Sequence, residues 1–220
     1  MTRRNASSQQ GVAMLVVLVF TLALTGIAIV SARLALLGES VARNQLDLQV
    51  ARQAAEAALR DAEKDLMIAN GGLSFPGALC KRDTDRPVLG QIPQFTQDCL
   101  RGQCQFNQGQ RAQVDFERAQ TDARYAEAWW PEARGGRWGV PAKGKPSDGD
   151  AGACGSFTGG VPLGAFTGTR AIHGVAYQPE YLIEAIRRGT DTFFRITARG
   201  FGYRAGTEVV LQSYFQVPEL

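Results

Sequence analysis

The residues of this 220-residue chain best suited to covalent or metal chemistry are four cysteines and one histidine. Cys99 and Cys104 flank Leu-Arg-Gly-Gln, and the glycine lets so short a loop close into a bridge. Four cysteines allow three connectivities, and sequence does not choose among them. The expected set is Cys99–Cys104, which leaves Cys80–Cys154 by elimination. Zinc is the rival reading, because the Cys99–Cys104 spacing falls within the broad range of ligand pairs. His173 is the one histidine available to complete such a site, so no metal is expected. His173 has no nucleophile elbow or ligand spacing around it and is expected at the surface or where the chain enters a strand. Glu56, Asp61 and Glu63 look like paired acids, but with Arg60 and Lys64 among them they read as a solvated helix face. Asp148-Gly149-Asp150 lacks the spacing and closing glutamate of an EF-hand loop and reads as a solvated turn. There is no Walker A or dinucleotide fingerprint. The expectation is a protein that is not an enzyme and holds no cofactor.

Charge narrows the partners. The formal net charge is +3, and Arg3 and Arg4 supply two of those charges. Arg195, Arg199 and Arg204 lie near Phe201 and Tyr203, a composition that suits single-stranded nucleic acid. With so small a net charge, nucleic acid is not expected, and an ordinary polar sheet face is the better reading.

The elements that must position these residues begin with an apolar run. From Val12 to Ala32 there is no charged residue, and about 20 helical residues span a hydrocarbon core of roughly 30 Å. Arg3 and Arg4 precede it, which predicts a cytoplasmic N-terminus by the positive-inside rule. The run is longer than a secretory signal core and has no clean small-x-small stop, apart from a weak one at Ile29-Val30-Ser31-Ala32. The cysteines all follow it. An even number in an exported region favours disulfides.

The helical pattern continues past Arg33 without a proline as far as Asn70-Gly71-Gly72, a good stop signal. Ala51, Ala54, Ala55, Ala58, Leu59, Ala62 and Leu66 recur at helical spacing as one apolar stripe. Arg52–Glu56 and Glu56–Arg60 sit at i,i+4 on the opposite face. A helix from about Val12 to Ala69 would be roughly 87 Å long at 1.5 Å per residue. Gly26 and Gly38 are weak points within it, costing up to about 1 kcal/mol each relative to alanine.

Residues 73–112 read as polar loops with Pro76, Pro87 and Pro93. Residues 113–130 predict a short second helix ended by Pro131, with Trp129-Trp130 as a core or domain-edge anchor. Residues 131–168, rich in glycine, read as a long loop and interaction surface. Tyr181–Arg187, Phe193–Arg199 and Thr207–Val217 predict three antiparallel strands. Alternation puts Phe194, Ile196 and Ala198 on one face and Arg195, Thr197 and Arg199 on the other. In the third strand Val209, Leu211, Phe215 and Val217 share a face. The fold class is therefore α+β, with the small-residue stripe of the long helix covering the apolar face of a C-terminal antiparallel sheet and disulfide-tied loops around it.

A short basic leader ending in glycine, then an apolar helix, then an amphipathic extension resembles the type IV pilin class. GVAMLVVLVFTLALTGIA followed by QAAEAALRDAE resembles the N-terminal region of the PilX family of minor pilins. YQPEYLIEAI, FFRITARGFG and TEVVLQSYF resemble that family's C-terminal part. The resemblance implies a leader over residues 1–11, cleavage between Gly11 and Val12, and methylation of the new Val12 amino terminus. It implies a membrane helix over 12–34, an amphipathic extension over 35–70, and a periplasmic domain over 71–220 with its sheet at about 175–217. It implies as partners a prepilin peptidase, other minor pilins, the major pilin, an inner-membrane assembly platform and a large tip adhesin. The function implied is priming of pilus assembly near the tip, supporting twitching motility and adhesion. One residue departs from the class. The fifth position after cleavage, usually glutamate, is Val16. The tip pseudopilin of type II secretion also lacks that glutamate and is the nearest alternative. A plain membrane-anchored periplasmic binding domain is the second.

Overall fold

The computed structural model describes residues 10–71, 77–82, 95–105, 126–142, 154, 158–189 and 191–217. Arg3, Arg4, Pro76, Pro87, Pro93, the Asp148–Asp150 turn and residues 113–125 of the expected second helix lie outside them. The chain divides into two units, Met1–Leu46 and Asp47–Leu220.

One long helix, α1, runs Gln10–Gly71, within two residues of the expected bounds at each end. In the first unit every residue from Val12 to Leu46 is exposed. The hydroxyls in this stretch turn inward on the helix itself. Thr21 Oγ1 donates to the Val17 and Leu18 carbonyls at 3.0 and 2.9 Å, and Thr25 Oγ1 donates to those of Thr21 and Leu22, both at 2.9 Å. Such back-bonding satisfies the hydroxyls without water or a partner. The helix is long and apolar enough to cross a membrane.

In the second unit α1 buries one face. Ala51, Ala54, Ala55, Ala58, Ala62 and Leu66 are each 2% exposed or less, and Leu59 packs at the margin. Small side chains let the helix backbone approach the sheet closely. A β-carbon at Gly200 would collide with the Ala51 carbonyl oxygen and lie 2.8 Å from Ala55 Cα. Glycine is needed there for space.

The sheet contains β1 (Gln103–Cys104), β2 (Val161–Pro162), β3 (Glu180–Arg188), β4 (Asp191–Phe201) and β5 (Glu208–Phe215). The three long strands are antiparallel neighbours in the order β3-β4-β5. Gly189, at φ +64°, turns β3 into β4, a conformation that favours glycine. β1 joins the outer side of β3 in parallel and β2 joins it antiparallel, so the sheet is mixed. Register puts Tyr181 opposite Ala198, Ile183 opposite Ile196 and Ala185 opposite Phe194. These six face α1 and form one core with Ala58, Ala62, Leu66, Phe95, Phe166 and Val217.

The reverse face differs from expectation. Arg195, Thr197 and Arg199 were expected on an exposed polar face; all three are buried. The cover comes from residues expected to be an open loop. A 3₁₀ turn at Glu132–Arg134 precedes Trp138, which is 2% exposed and packs with Leu182 and the Cys99–Cys104 pair. Residues 126–142 therefore form a third layer, within which half-buried Trp129 packs against Trp138 and Leu182. Residues 126–130, the described end of the expected second helix, are not helical. Buried Leu163 and Phe166 likewise remove 158–168 from the open loop. The reason is area: a three-stranded sheet with one bare face would leave Leu182 and the aliphatic stems of two arginines in water.

Candidate functional site

Two surfaces stand out, one in each unit. In the first, Val12, Leu15, Val16, Val19 and Phe20 line a shallow, wholly apolar face near the start of α1. Val12 is 64% exposed and Val16 49%. The first helical turn contains no acid, and the first carboxylate along α1 is Glu39, paired with Arg43 at 2.5 Å. Gly11 and Val12 lie within the helical run.

In the second unit three aspartates of α1 hold three separate loops against the helix. Asp47, Asp61 and Asp65 are each 3% exposed or less. Their offsets of 14 and 18 residues are close to whole numbers of turns at 3.6 residues per turn, so all three share the alanine face. Asp47 accepts from the Tyr203 backbone N–H at 2.6 Å, Thr207 Oγ1 at 2.6 Å and Arg204 Nε at 2.9 Å. The Thr207 hydroxyl, helped by Arg204 and the Tyr203 N–H and opposed by burial, lowers this carboxyl to about 2. Asp61 accepts from the Gly164 N–H at 2.8 Å and from the hydroxyls of Thr167 and Thr169. Burial pushes its carboxyl up, those three donors pull it back, and the Asp65 charge adds to the rise. Asp61 is thus no part of a solvated face, contrary to the sequence reading. Asp65 takes Arg82 Nε at 2.8 Å and Nη2 at 2.8 Å, and the Tyr181 hydroxyl at 2.8 Å. Burial, reinforced by the Asp65 and Asp61 charges, raises the Tyr181 phenol well above its ordinary value, so it stays a donor.

The reverse face of the sheet is tied by ion pairs between opposite residues of β3 and β4. Glu184 takes Arg195 Nε at 2.7 Å, and Glu127 takes the same guanidinium at 2.7 Å. Burial disfavours the Arg195 charge, but Glu184 and Glu127 outweigh it and raise the group. Glu180 takes Arg199 Nε at 2.9 Å, and that guanidinium stacks 4.7 Å from the Trp138 ring centroid. Burial pushes the Glu180 carboxyl up to about 7 against the pull of Arg199. The three arginines that suggested a nucleic-acid face are all engaged with carboxylates, Arg204 through Asp47.

Cys99 is bonded to Cys104 with Cα atoms 4.1 Å apart, and Cys80 to Cys154 with Cα atoms 5.4 Å apart. Cys80 also donates its N–H to the Ala165 carbonyl at 2.9 Å. This bond fastens residues 77–82 to the loop that Asp61 holds, and the second bridge ties the same segment to Cys154. Residue His173 is exposed in a bend. Among the described residues no group of three or more His, Cys, Asp or Glu could hold a metal.

The family model described as the type IV pilus assembly protein PilX C-terminal region matches residues 101–217, over half the chain. The chain belongs to the PilX family. The matched span contains the whole β3-β4-β5 sheet, its Trp138 cover and the Glu180–Arg199 and Glu184–Arg195 pairs. No curated protein matches the chain, and no solved structure matches it. A PilX chain takes part in type IV pilus assembly, as a structural component, and works with other pilus components. Its apolar N-terminal helix is compatible with membrane anchoring.

The residues that sequence reasoning missed are Asp47, Asp65, Glu180 and Glu184. The signal for the first two was present: a carboxylate at a position that continues an alanine stripe is placed to be buried, and buried acids need donors.

Proposed function

We propose that this chain primes assembly of the type IV pilus from the inner membrane and stays near the tip, supporting twitching motility and adhesion. In this reading the leader is residues 1–11. A prepilin peptidase cuts after Gly11 and methylates Val12. Residues 12–34 wait in the bilayer with the N-terminus in the cytoplasm. Residues 35–70 extend to carry the periplasmic domain, 71–220. Other minor pilins, the major pilin and the inner-membrane assembly platform then engage the apolar helix, and a large tip adhesin joins the complex. The observation that carries the reading is the PilX match together with a helix whose apolar side chains are exposed from Val12 to Leu48. Apolar area of that kind is stable in lipid or against other helices. The tip position rests on Val16. A carboxylate there would neutralise a neighbour's amino terminus within the filament, and the terminal subunit has one neighbour fewer to serve. Val16 equally favours a tip pseudopilin of type II secretion, the second reading.

Mass spectrometry of the mature protein tests the processing. A chain beginning at methylated Val12 is expected. An intact residue 1–11 segment, or a terminus near Ala32, would sink both the pilus and the secretion reading and leave a plain anchored domain.

A further inference from the structure

We propose that Glu180 makes residues 126–142 a pH-sensitive strap, closed over the protonated carboxyl and released when that carboxyl ionises. The buried acids of this domain are served unevenly. Asp47, Asp61 and Asp65 each have both carboxyl oxygens engaged by donors. Glu180 is just as deeply buried, yet Arg199 Nε and Nη2 both donate to its Oε1. Among the described residues no donor is directed to Oε2.

Main chain fills the space beside the carboxyl. A β-carbon on Gly160 would lie 2.7 Å from Glu180 Cδ and 3.0 Å from each carboxyl oxygen. The Gly160 N–H does not serve Glu180, because it donates to the Trp138 carbonyl at 2.7 Å. The Trp138 Nε1–H donates to the Trp129 carbonyl, also at 2.7 Å. An ionised oxygen walled in without a donor is a costly buried group. A proton on Oε2 removes the charge and leaves Oε1 to accept from Arg199 as before.

The charges facing Glu180 are few. Arg199 on β4 favours the ionised form, Glu208 on β5 and Glu132 on the strap oppose it, and Gly160 and Pro162 on the β2 side contribute none. Burial outweighs Arg199 and raises the carboxyl from 4.5 to about 7. Arg199 also links this acid to the strap, donating from Nη2 to the Gly139 carbonyl at 3.4 Å and stacking on Trp138. Among the described residues two main-chain hydrogen bonds join the strap to the rest of the domain, Gly160 N–H to Trp138 and Gln178 N–H to the Ala142 carbonyl at 2.7 Å. Opening the strap admits water to Oε2 and returns the carboxyl toward its ordinary value. Ionisation therefore favours the open strap, and acid favours the closed one. The opening constant is expected to rise by up to about tenfold per pH unit from about 4.5 to about 7, about 300-fold in all, and to level off above.

Hydrogen exchange read by mass spectrometry tests this on the full-length chain in detergent micelles, with rates corrected for the intrinsic pH dependence of amide exchange. Exchange at Gly160 and across 126–142 is expected to follow that rise and to run faster than exchange at Thr197 and Ala198 of β4. Glu180→Gln, neutral at every pH, is expected to hold the strap at the acid-side rate of wild type. Glu208→Gln removes a charge that opposes ionisation and is expected to lower the pH at which the rise levels off. His173→Gln, at the exposed histidine, is expected to leave the profile unchanged. A flat wild-type profile, a rise that survives Glu180→Gln or is lost in His173→Gln, or strap amides no faster than those of Thr197 and Ala198 would overturn the proposal. Glu208→Gln keeps the test decisive where Glu180→Gln does not fold: a levelling pH that it leaves unmoved would overturn the proposal as well.

Discussion

Asp47 shows how one side chain can hold a loop to a helix, and its carboxyl gives the clearest pH signature. Its folded value is about 2, against 3.8 ordinarily. A depressed acid contributes stability that is fully present above the unfolded value and is lost as pH falls through the folded one. Asp47→Asn is therefore expected to lower the Tm at pH 7 and to converge on wild type as pH falls from about 4 to about 2. A difference that stays constant over that window would refute the assignment. Glu180 works in the opposite sense. Its folded value is raised to about 7, so its contribution is full below the ordinary value and declines as pH rises through 7. Ala58, 0% exposed between Ala55 and Ala62, tests the stripe itself. Ala58→Glu should cost about 3 kcal/mol or more, on the order of 10 °C in Tm, because it buries an unpaired charge. An unchanged Tm would refute the packing. At this scale sequence was half legible. The alanines announced their face by spacing. Asp61 did not, because an acid beside Arg60 and Lys64 looks solvated until the Gly164, Thr167 and Thr169 donors are known.

At the scale of elements, helix and strands were legible because each depends on local pattern. α1 lacks proline, and β3 and β4 alternate cleanly on the α1 side. The third layer was not legible. Nothing in a glycine-rich stretch tells that Trp138 will lie over Leu182 while Arg199 stacks on its ring. That is tertiary information, and it reversed the reading of Arg195 and Arg199 from surface to interior. The contact between α1 and β4 depends on Gly200 having no side chain. Gly200→Ala should force the Ala51–Ala55 turn away from the strand and cost about 1–3 kcal/mol, as overpacking does. Thermal denaturation measures it; a stability equal to wild type would show that the helix is free to retreat.

At the scale of the whole molecule the chain falls into two units. Residues Asp47–Leu220 form a domain bound by two disulfides, three buried aspartates and two cross-strand ion pairs. Residues Met1–Leu46 contain the exposed apolar helix. The resemblance of both ends of the chain to PilX proteins was readable from sequence, and the family match covers the C-terminal end. In the function proposed above, a place near the tip rests on Val16. Deletion of the gene in its source bacterium, with surface pili counted by electron microscopy and exoprotein release assayed in the same cells, tests the central claim most directly. Loss of pili with secretion intact, restored by the wild-type gene, is the expected result. Normal pili with blocked secretion would contradict it.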